Sequence, residues 1–371
     1  MNDGGIDIMS HLFDTVELAG LELKNRIVMA PMTRSFSPGG VPHKGVVDYY
    51  RKRAEVGLII TEGTVINHPG ANGYKDVPRF YGEGLEGWRQ VVEAVHGAGG
   101  KIFPQLWHVG NVRKLGQEPD PQVPAYGPMG LEKEGKQLIR AMTKDDITQV
   151  VEAYGEAAAA AKDIGFDGVE IHGAHGYLID QFLFEGINKR ADEYGGSLEK
   201  RCRLAREVVA EVRQRVGPDY PICFRFSQWK MKDYDAKIAK TPQELEAILK
   251  ILNEAGVDIF HCSTRRFWLP EFEGSDLNLA GWTKKLSGKP TITVGSVGLD
   301  QDFMTTFRPD AGDSSMMENL NLLEGPLSRG EYDLVAVGRP LIANPDWVSK
   351  VQNGEFSQIK VYAKEQLATL D

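Results

Sequence analysis

Two histidines and a tyrosine crowd into the stretch GVEIHGAHGYLIDQF, residues 168–182. A strand-like run (Val169, Glu170, Ile171) stops at His172, and His175 and Tyr177 follow, spaced only by Gly173, Ala174 and Gly176. Such groups can hydrogen-bond an oxygen, bind a metal ion or move a proton. A metal would need a third ligand, for which Asp180 and Glu185 are the nearby candidates. The bland alternative is structural: buried histidines, and a Tyr177 that packs its ring and bonds its hydroxyl to backbone. A second group, Gln105 and Arg225, stands in apolar runs where a buried amide or guanidinium requires partners. A planar heterocycle with ring nitrogens and carbonyls would satisfy both, and so would a structural pair of Arg225 with Glu62 or Glu170. A third group is glycine-rich: Gly295-Ser296-Val297-Gly298 and Gly338-Arg339. These turns either cradle a phosphate with backbone N–H groups, with Arg339 adding a bidentate charge, or are simply tight turns.

The elements that must carry these residues recur along the chain. Short β-branched runs, read as strands buried on both faces, occupy 27–30, 58–62, 101–106, 168–172, 222–226, 259–263, 291–294 and 334–337. Helical patterns separate them. One over 143–164 opens on Thr143 and Asp146 as a capping box and stops at Gly165, another over 197–216 begins at Ser197, and a third starts with Thr241 as cap and Pro242 in the first turn. Eight strands alternating with helices predict an α/β fold, a single (β/α)8 TIM barrel. No Gly-x-Gly-x-x-Gly loop supports a doubly wound sheet instead. Residues 13–23, turning at Ala19-Gly20, are expected to form an N-terminal hairpin capping the barrel bottom. Residues 1–10 are expected to be a disordered leader and 11–371 one domain. The long connections 107–141 and 264–280 should be lids or pocket walls.

Composition narrows the function. With 43 basic against 52 acidic residues the net charge is −9, which argues against a general nucleic-acid surface. Three scattered cysteines, Cys202, Cys223 and Cys262, form no CxxC and no disulfide framework, as expected of a reduced, cytoplasmic protein. No apolar stretch approaches the ~20 residues of a membrane span, and the first residues do not resemble a signal peptide.

Catalytic groups of such a barrel lie at the C-terminal ends of its strands. Those ends carry Ala30-Pro31-Met32-Thr33-Arg34, Thr61-Glu62-Gly63, Gln105 with Trp107 and His108, the His172–Tyr177 segment, Arg225, and the two glycine turns. With these residues the chain resembles the old yellow enzymes, FMN-dependent ene-reductases that include 12-oxophytodienoate and morphinone reductases. The landmarks are KNRIVMAPMTR (24–34), TEGT (61–64), QLWHVG (105–110), GVEIHGAHGY (168–177), NKRADEYGGSLEKRCR (188–203) and the segment 338–347.

The resemblance implies FMN at the barrel mouth, reduced by NADH or NADPH. It places Ala30, Pro31, Met32 and Thr33 along one flavin edge, with Thr33 also in the substrate pocket. Gly63, Gln105 and Arg225 become further ring contacts, Arg225 at the pyrimidine end, and Gly295, Ser296, Gly298, Gly338 and Arg339 the phosphate end. His172 and His175 would hydrogen-bond the oxygen of an enone or nitro substrate, Tyr177 would protonate its α-carbon, and Trp107 would wall the pocket; no role falls to His108. Arg265-Arg266 either meets a 2′-phosphate or is solvated. Two rivals remain. One is a flavin dehydrogenase or oxidase on the same barrel, against which the lack of a cysteine cluster and of further domains after the barrel weighs. The other is a zinc-dependent barrel enzyme using His172 and His175. No nucleic acid or membrane partner is expected, and the protein should be a monomer or homodimer.

Overall fold

The computed structural model describes residues 10–299 and 316–371. Eight strands close into a parallel barrel: β1 (Ile27–Met29), β2 (Leu58–Val65), β3 (Ile102–Trp107), β4 (Val169–His175), β5 (Ile222–Lys230), β6 (Ile259–Ser263), β7 (Thr291–Val294) and β8 (Leu334–Val337). Each pairs with the next in chain order and β8 returns to β1, so no strand edge is left open. Helices cover the outside. That over Lys144–Asp163 starts with the reciprocal capping box of Thr143 and Asp146, and that over Pro242–Ala255 is capped by the Thr241 hydroxyl and ends at the left-handed Gly256. The helix expected from Ser197 is split in two, Leu198–Arg201 and Arg203–Val216.

Two apolar cores result. The larger lies between the barrel wall and the helices. The smaller fills the barrel interior with Val28, Ala30, Leu58, Ile60, Phe103, Ile259, Ile292, Leu334 and Ala336, and includes Leu21 and Leu23 from the N-terminal hairpin. That hairpin pairs Val16–Leu18 with Leu21–Leu23 through a two-residue turn in which Ala19 (φ 50°) and Gly20 (φ 76°) are both left-handed. Such a turn matches the twist of the strands it joins. The hairpin therefore plugs the barrel, its leucines pointing in and Glu17 and Glu22 pointing out. Of the leader, residues 1–9 lie outside the described residues, while Ser10 opens a 3-10 turn, Ser10–Phe13.

Three strands run three or more residues further than their apolar patterns. β2 extends to Val65, β4 to His175 and β5 to Lys230, and the register of β5 against β4 shifts between Phe226 and Lys230. Bulges of this kind re-aim side chains beside binding sites. The connection 107–141 is built, not loose: it contains a 3-10 turn (Gly110–Val112) and a three-stranded sheet, Ala125–Gly127, Leu131–Lys133 and Lys136–Ala141. The Arg113 guanidinium ties it down by donating to the carbonyls of Asn72, Gln117, Glu118, Asp120 and Val123. The connection 264–280 walls a cleft of about 260 Å3 together with Trp229 and Tyr234. Residues 310–315 lie outside the described residues, and the helix Met316–Ser328 follows them.

Leu23, 1% exposed in the plug, tests the interior core. Leu23→Ala should cost about 2–5 kcal/mol in a denaturant titration. A loss under about 1 kcal/mol would mean that the hairpin is not part of that core.

Candidate functional site

Parallel pairing sets the site. In β5, Arg225 lies opposite His172 of β4 on one side and His261 of β6 on the other, while Glu170 of β4 lies opposite Gln105 of β3 and Cys223 of β5. Side chains two apart on a strand share a face. By register, Glu170 and Cys223 form one polar tier inside the barrel, and His172, Arg225 and His261 the next tier toward the mouth, with Ser263 beyond it. The Glu170 carboxylate accepts from Gln105 Nε2 (2.8 Å), lies 2.6 Å from His261 Nδ1, and receives the Cys223 thiol at 3.4 Å. From β7, β8, β1 and the start of β2 come the apolar interior residues Ile292, Leu334, Ala336, Val28, Ala30, Leu58 and Ile60.

Arg225 is 6% exposed, and its Nη2 reaches Ser263 Oγ at 3.5 Å, while its buried Nε has no partner among the described residues. Burial lowers its pKa, and the field of Glu170 pulls it back up. Of the two carboxylates proposed as structural partners, Glu62 is engaged elsewhere: it accepts the N–H groups of Arg34 and Ser35. Burial raises Glu62 to about 7, those amides pulling the other way.

Above these tiers the rings gather around Trp107. Its indole stacks with Tyr74 (centroids 5.5 Å) and His172 (6.1 Å) and meets Tyr177 edge-on at 4.8 Å. It also occupies the space beside Gly63, where an added Cβ would come within 2.5 Å of the ring. Gly63 thus makes room for the Trp107 wall.

The His172 Nδ1 accepts the Ala174 N–H at 3.3 Å, which assigns the proton of the neutral ring to Nε2. Burial and then Arg225 drive its pKa down to about 3. His175 sits at φ 64°, a strained position for a side chain bearing Cβ. It is held there by its N–H on Ser227 Oγ (3.0 Å), by stacking on Trp229 (4.7 Å) and by Nε2 at 2.7 Å from Ser263 Oγ. The two imidazoles lie 5.2 Å apart and are perpendicular. They are thus brought together, but one nitrogen of His175 is already paired.

Tyr177 is edge-on to His172 at 5.0 Å, and its hydroxyl lies 3.4 Å from that of Tyr74 and 3.7 Å from Met231 Sδ. Burial raises its pKa, so the phenol keeps its proton. The turn before it is fixed by Asp180, which accepts the Gly176 N–H (2.6 Å) and lies 2.9 Å from the buried Lys230 ammonium. Burial raises Asp180 to about 6 against the pull of Lys230.

Geometry also gives His108 a role. Its carbonyl accepts the Leu178 N–H, next to Tyr177, while its ring is locked between the Gly110 N–H on Nδ1 and His68 Nδ1, 2.9 Å from its Nε2. Burial lowers His68 to about 4 and His108 well below its usual value.

The remaining predicted residues ring the apolar half. Ala30 is buried and Thr33 exposed at the end of β1. Gly338 lets β8 approach this segment: a Cβ there would lie 3.3 Å from Met32 Sδ and 3.8 Å from Ala30 Cβ. Pro31 and Met32 are half-buried between Ala30 and Thr33. Gly295 (φ 150°) and Ser296 (φ 56°) turn sharply after β7, and Ser296 Oγ donates to the Arg265 carbonyl. Arg339 begins the short helix Arg339–Ala343. The Gly298 N–H is donated to Asn319 Oδ1 at 2.8 Å.

A zinc site loses its donors. Asp180 is taken by Lys230 and Gly176, Glu185 is 61% exposed and faces Lys240, and among the described residues no three His, Cys, Asp or Glu side chains cluster as metal ligands. All three cysteines are buried free thiols, and no helix of the described residues is long and apolar enough to cross a membrane.

Sequence reading missed Tyr74, Ser263, Trp229 and the Glu170–His261 pair as members of the site. The last carried a signal, a charged residue and a histidine inside apolar runs. Tyr74, on an irregular segment, carried none.

Residues 11–313 match the family model described as NADH:flavin oxidoreductase / NADH oxidase. Among curated proteins, the chain is 34% identical over 362 residues to an NADH oxidase of Thermoanaerobacter brockii, covering 94% of this chain and 52% of that protein, about half its length. It is 34% identical over 355 residues to 12-oxophytodienoate reductase 7 of Oryza sativa subsp. japonica, covering 91% and 87%. Among solved structures, morphinone reductase in complex with tetrahydroNAD superposes with a TM-score of 0.80 at 31% identity, covering 96% of this chain and 93% of that one. The old yellow enzyme homologue from Zymomonas mobilis gives 0.78 at 27%, covering 96% of each.

Both His172 and His68 should remain uncharged in the folded protein from pH 9 to about pH 5, as read from imidazole nitrogen shifts. Their folded pKa values, about 3 and about 4, lie below the 6.5 of a free imidazole. Their stability contribution is therefore full above pH 6.5 and is lost as acid first protonates the unfolded chain, whereas Glu62 and Asp180, raised in the folded state, act in the opposite sense. A His172 midpoint near 6.5 would contradict the buried neutral donor.

Proposed function

The chain belongs to the NADH:flavin oxidoreductase / NADH oxidase family, that of the old yellow enzymes, and is an FMN oxidoreductase using NADH or NADPH; within that family we propose that it is an ene-reductase acting on α,β-unsaturated carbonyl or nitro compounds. The observation that carries this reading is the pairing of a neutral His172 donor with a protonated Tyr177 hydroxyl, their rings 5.0 Å apart, over a floor containing Gln105 and Arg225.

The residues present suit a flavin. The buried, unpartnered Nε of Arg225 wants an acceptor such as a ring carbonyl. Gln105 and Arg225 would hold the polar edge of the ring, Thr33 the opposite edge, and Gly295, Ser296 and Arg339 the phosphate. When bound, FMN supplies the centre that takes hydride from the nicotinamide and returns it to the β-carbon of the substrate.

The chain's own groups do the rest. His172 Nε2–H donates to the substrate oxygen and meets the negative charge that develops there. His175 joins it only by releasing Ser263 or by using its other nitrogen, so His172 is the principal donor and His175 the secondary one. Tyr177 gives its phenolic proton to the α-carbon. Trp107 flattens the substrate against the site and, with Tyr74, restricts entry of water. Arg225, by the fixed charge of its guanidinium, would stabilise negative charge on the bound cofactor.

Tyr177→Phe should bind FMN and be reduced by nicotinamide at the wild-type rate while its turnover of cyclohexenone falls by about 10²–10⁴-fold, measured by anaerobic stopped flow of the two half-reactions. Equal slowing of both halves would remove Tyr177 from the acid role. The same traces run in air show whether dioxygen, the acceptor in the reading drawn from the NADH oxidase likeness, outcompetes the enone.

A further inference from the structure

Below the site, the carboxylate of Glu170 is used by none of these steps. It is 0% exposed, as is His261. Its oxygens take Gln105 Nε2 at 2.8 Å, His261 Nδ1 at 2.6 Å and the Cys223 thiol at 3.4 Å. His261 Nε2 is buried with no partner among the described residues. A doubly protonated imidazole would leave a charged N–H unsatisfied there, so the ring is neutral, with its proton on Nδ1 directed at Glu170, and the carboxylate carries the charge. Burial lowers His261, in keeping with a neutral ring.

Two consequences reach the mouth of the barrel. Because Gln105 gives its Nε2 to Glu170, its amide is oriented with Oε1 left as the acceptor for a ring N–H. Arg225, in register with His261 and His172, stands in the field of Glu170. An uncompensated guanidinium in a sealed, weakly screened interior would stabilise reduced flavin strongly, easing its reduction and impeding hydride return. A carboxylate one tier below offsets that pull.

We propose that Glu170, held ionised by His261 and Gln105, is the fixed counter-charge that sets the reduction potential of the flavin above it. The proposal rests on the FMN reading of the site, and it makes Glu170 and His261 positioning residues that act through Gln105 and Arg225. A cross-brace between β3, β4, β5 and β6 with no electrical role would use the same bonds, so potential, not stability, decides.

The test is the midpoint potential of the FMN-loaded protein, measured for wild type, Glu170→Gln, His261→Leu and His261→Asn. Glu170→Gln removes the charge and keeps the shape. Its potential should rise by at least tenfold in the reduced-to-oxidised equilibrium, about 30 mV for a two-electron couple. His261→Leu, which strips the carboxylate of its donor, should rise likewise, and His261→Asn, whose amide N–H stands in for Nδ1–H, should stay at the wild-type value. Glu170→Gln at the wild-type potential would overturn the proposal. If that variant holds no FMN, the two His261 variants decide: equal potentials overturn it, and separation in the stated order supports it. A wild-type protein that takes up no FMN would instead defeat the reading on which the proposal stands.

Discussion

Trp107 sits where four segments of chain converge, and the active arrangement depends on its indole staying there. β2 yields a glycine, Gly63, so that the ring can lie flush on the strand. The loop after β2 lays Tyr74 on one side of the indole, β4 brings His172 to the other, and the turn after β4 sets Tyr177 edge-on. Each aromatic pair of this kind is worth about 0.5–1.5 kcal/mol beyond its buried area. Their larger effect is orientation: with Trp107 fixed, the imidazole and the phenol cannot rotate away from a substrate without losing ring contacts. The backbone supports the same pose, because the carbonyl of His108 fastens Leu178.

Beneath this aromatic layer the barrel is divided electrically. One half of its wall carries Gln105, Glu170, His172, Cys223, Arg225, His261 and Ser263, whereas the interior core residues of the other half are Val28, Ala30, Leu58, Ile60, Ile292, Leu334 and Ala336. Burying so much polarity is tolerable only where bonds are satisfied, since an unpaired buried charge costs several kcal/mol. Glu170 is satisfied by three donors. Arg225 is not, and a ligand with an acceptor edge is what would complete it. The fold thus leaves its deficit at the place where a planar cofactor would lie, and the extended strand ends of β2, β4 and β5 carry the residues that surround it.

Much of this was legible in the sequence, for physical reasons. Strands buried on both faces advertise themselves as β-branched runs, and all eight were found. The hairpin plug, the Thr143–Asp146 box and the Thr241–Pro242 start were visible because turn and cap chemistry is local. The same pattern reading stopped each functional strand short. Gly63, Gly173, Ser227 and Gln228 break the apolar run, yet the strands continue past them, with shifts of register between Ile60 and Gly63 in β2 and between Phe226 and Lys230 in β5. Pair contacts between distant segments left no trace: that Trp107 fills the space at Gly63, that Asn319 takes the N–H of Gly298, or that Ser263 engages His175 follows only from the closed barrel.

The central claim is that hydride and proton reach the substrate from different groups on opposite faces, the proton from Tyr177. Turnover of 2-methylcyclohexenone in ordinary water with a nicotinamide deuterated at its transferable position tests it directly, by NMR of the product. The account predicts deuterium at the β-carbon alone and a solvent-derived hydrogen at the α-carbon, added trans. Deuterium absent from the product, or cis addition, would contradict it.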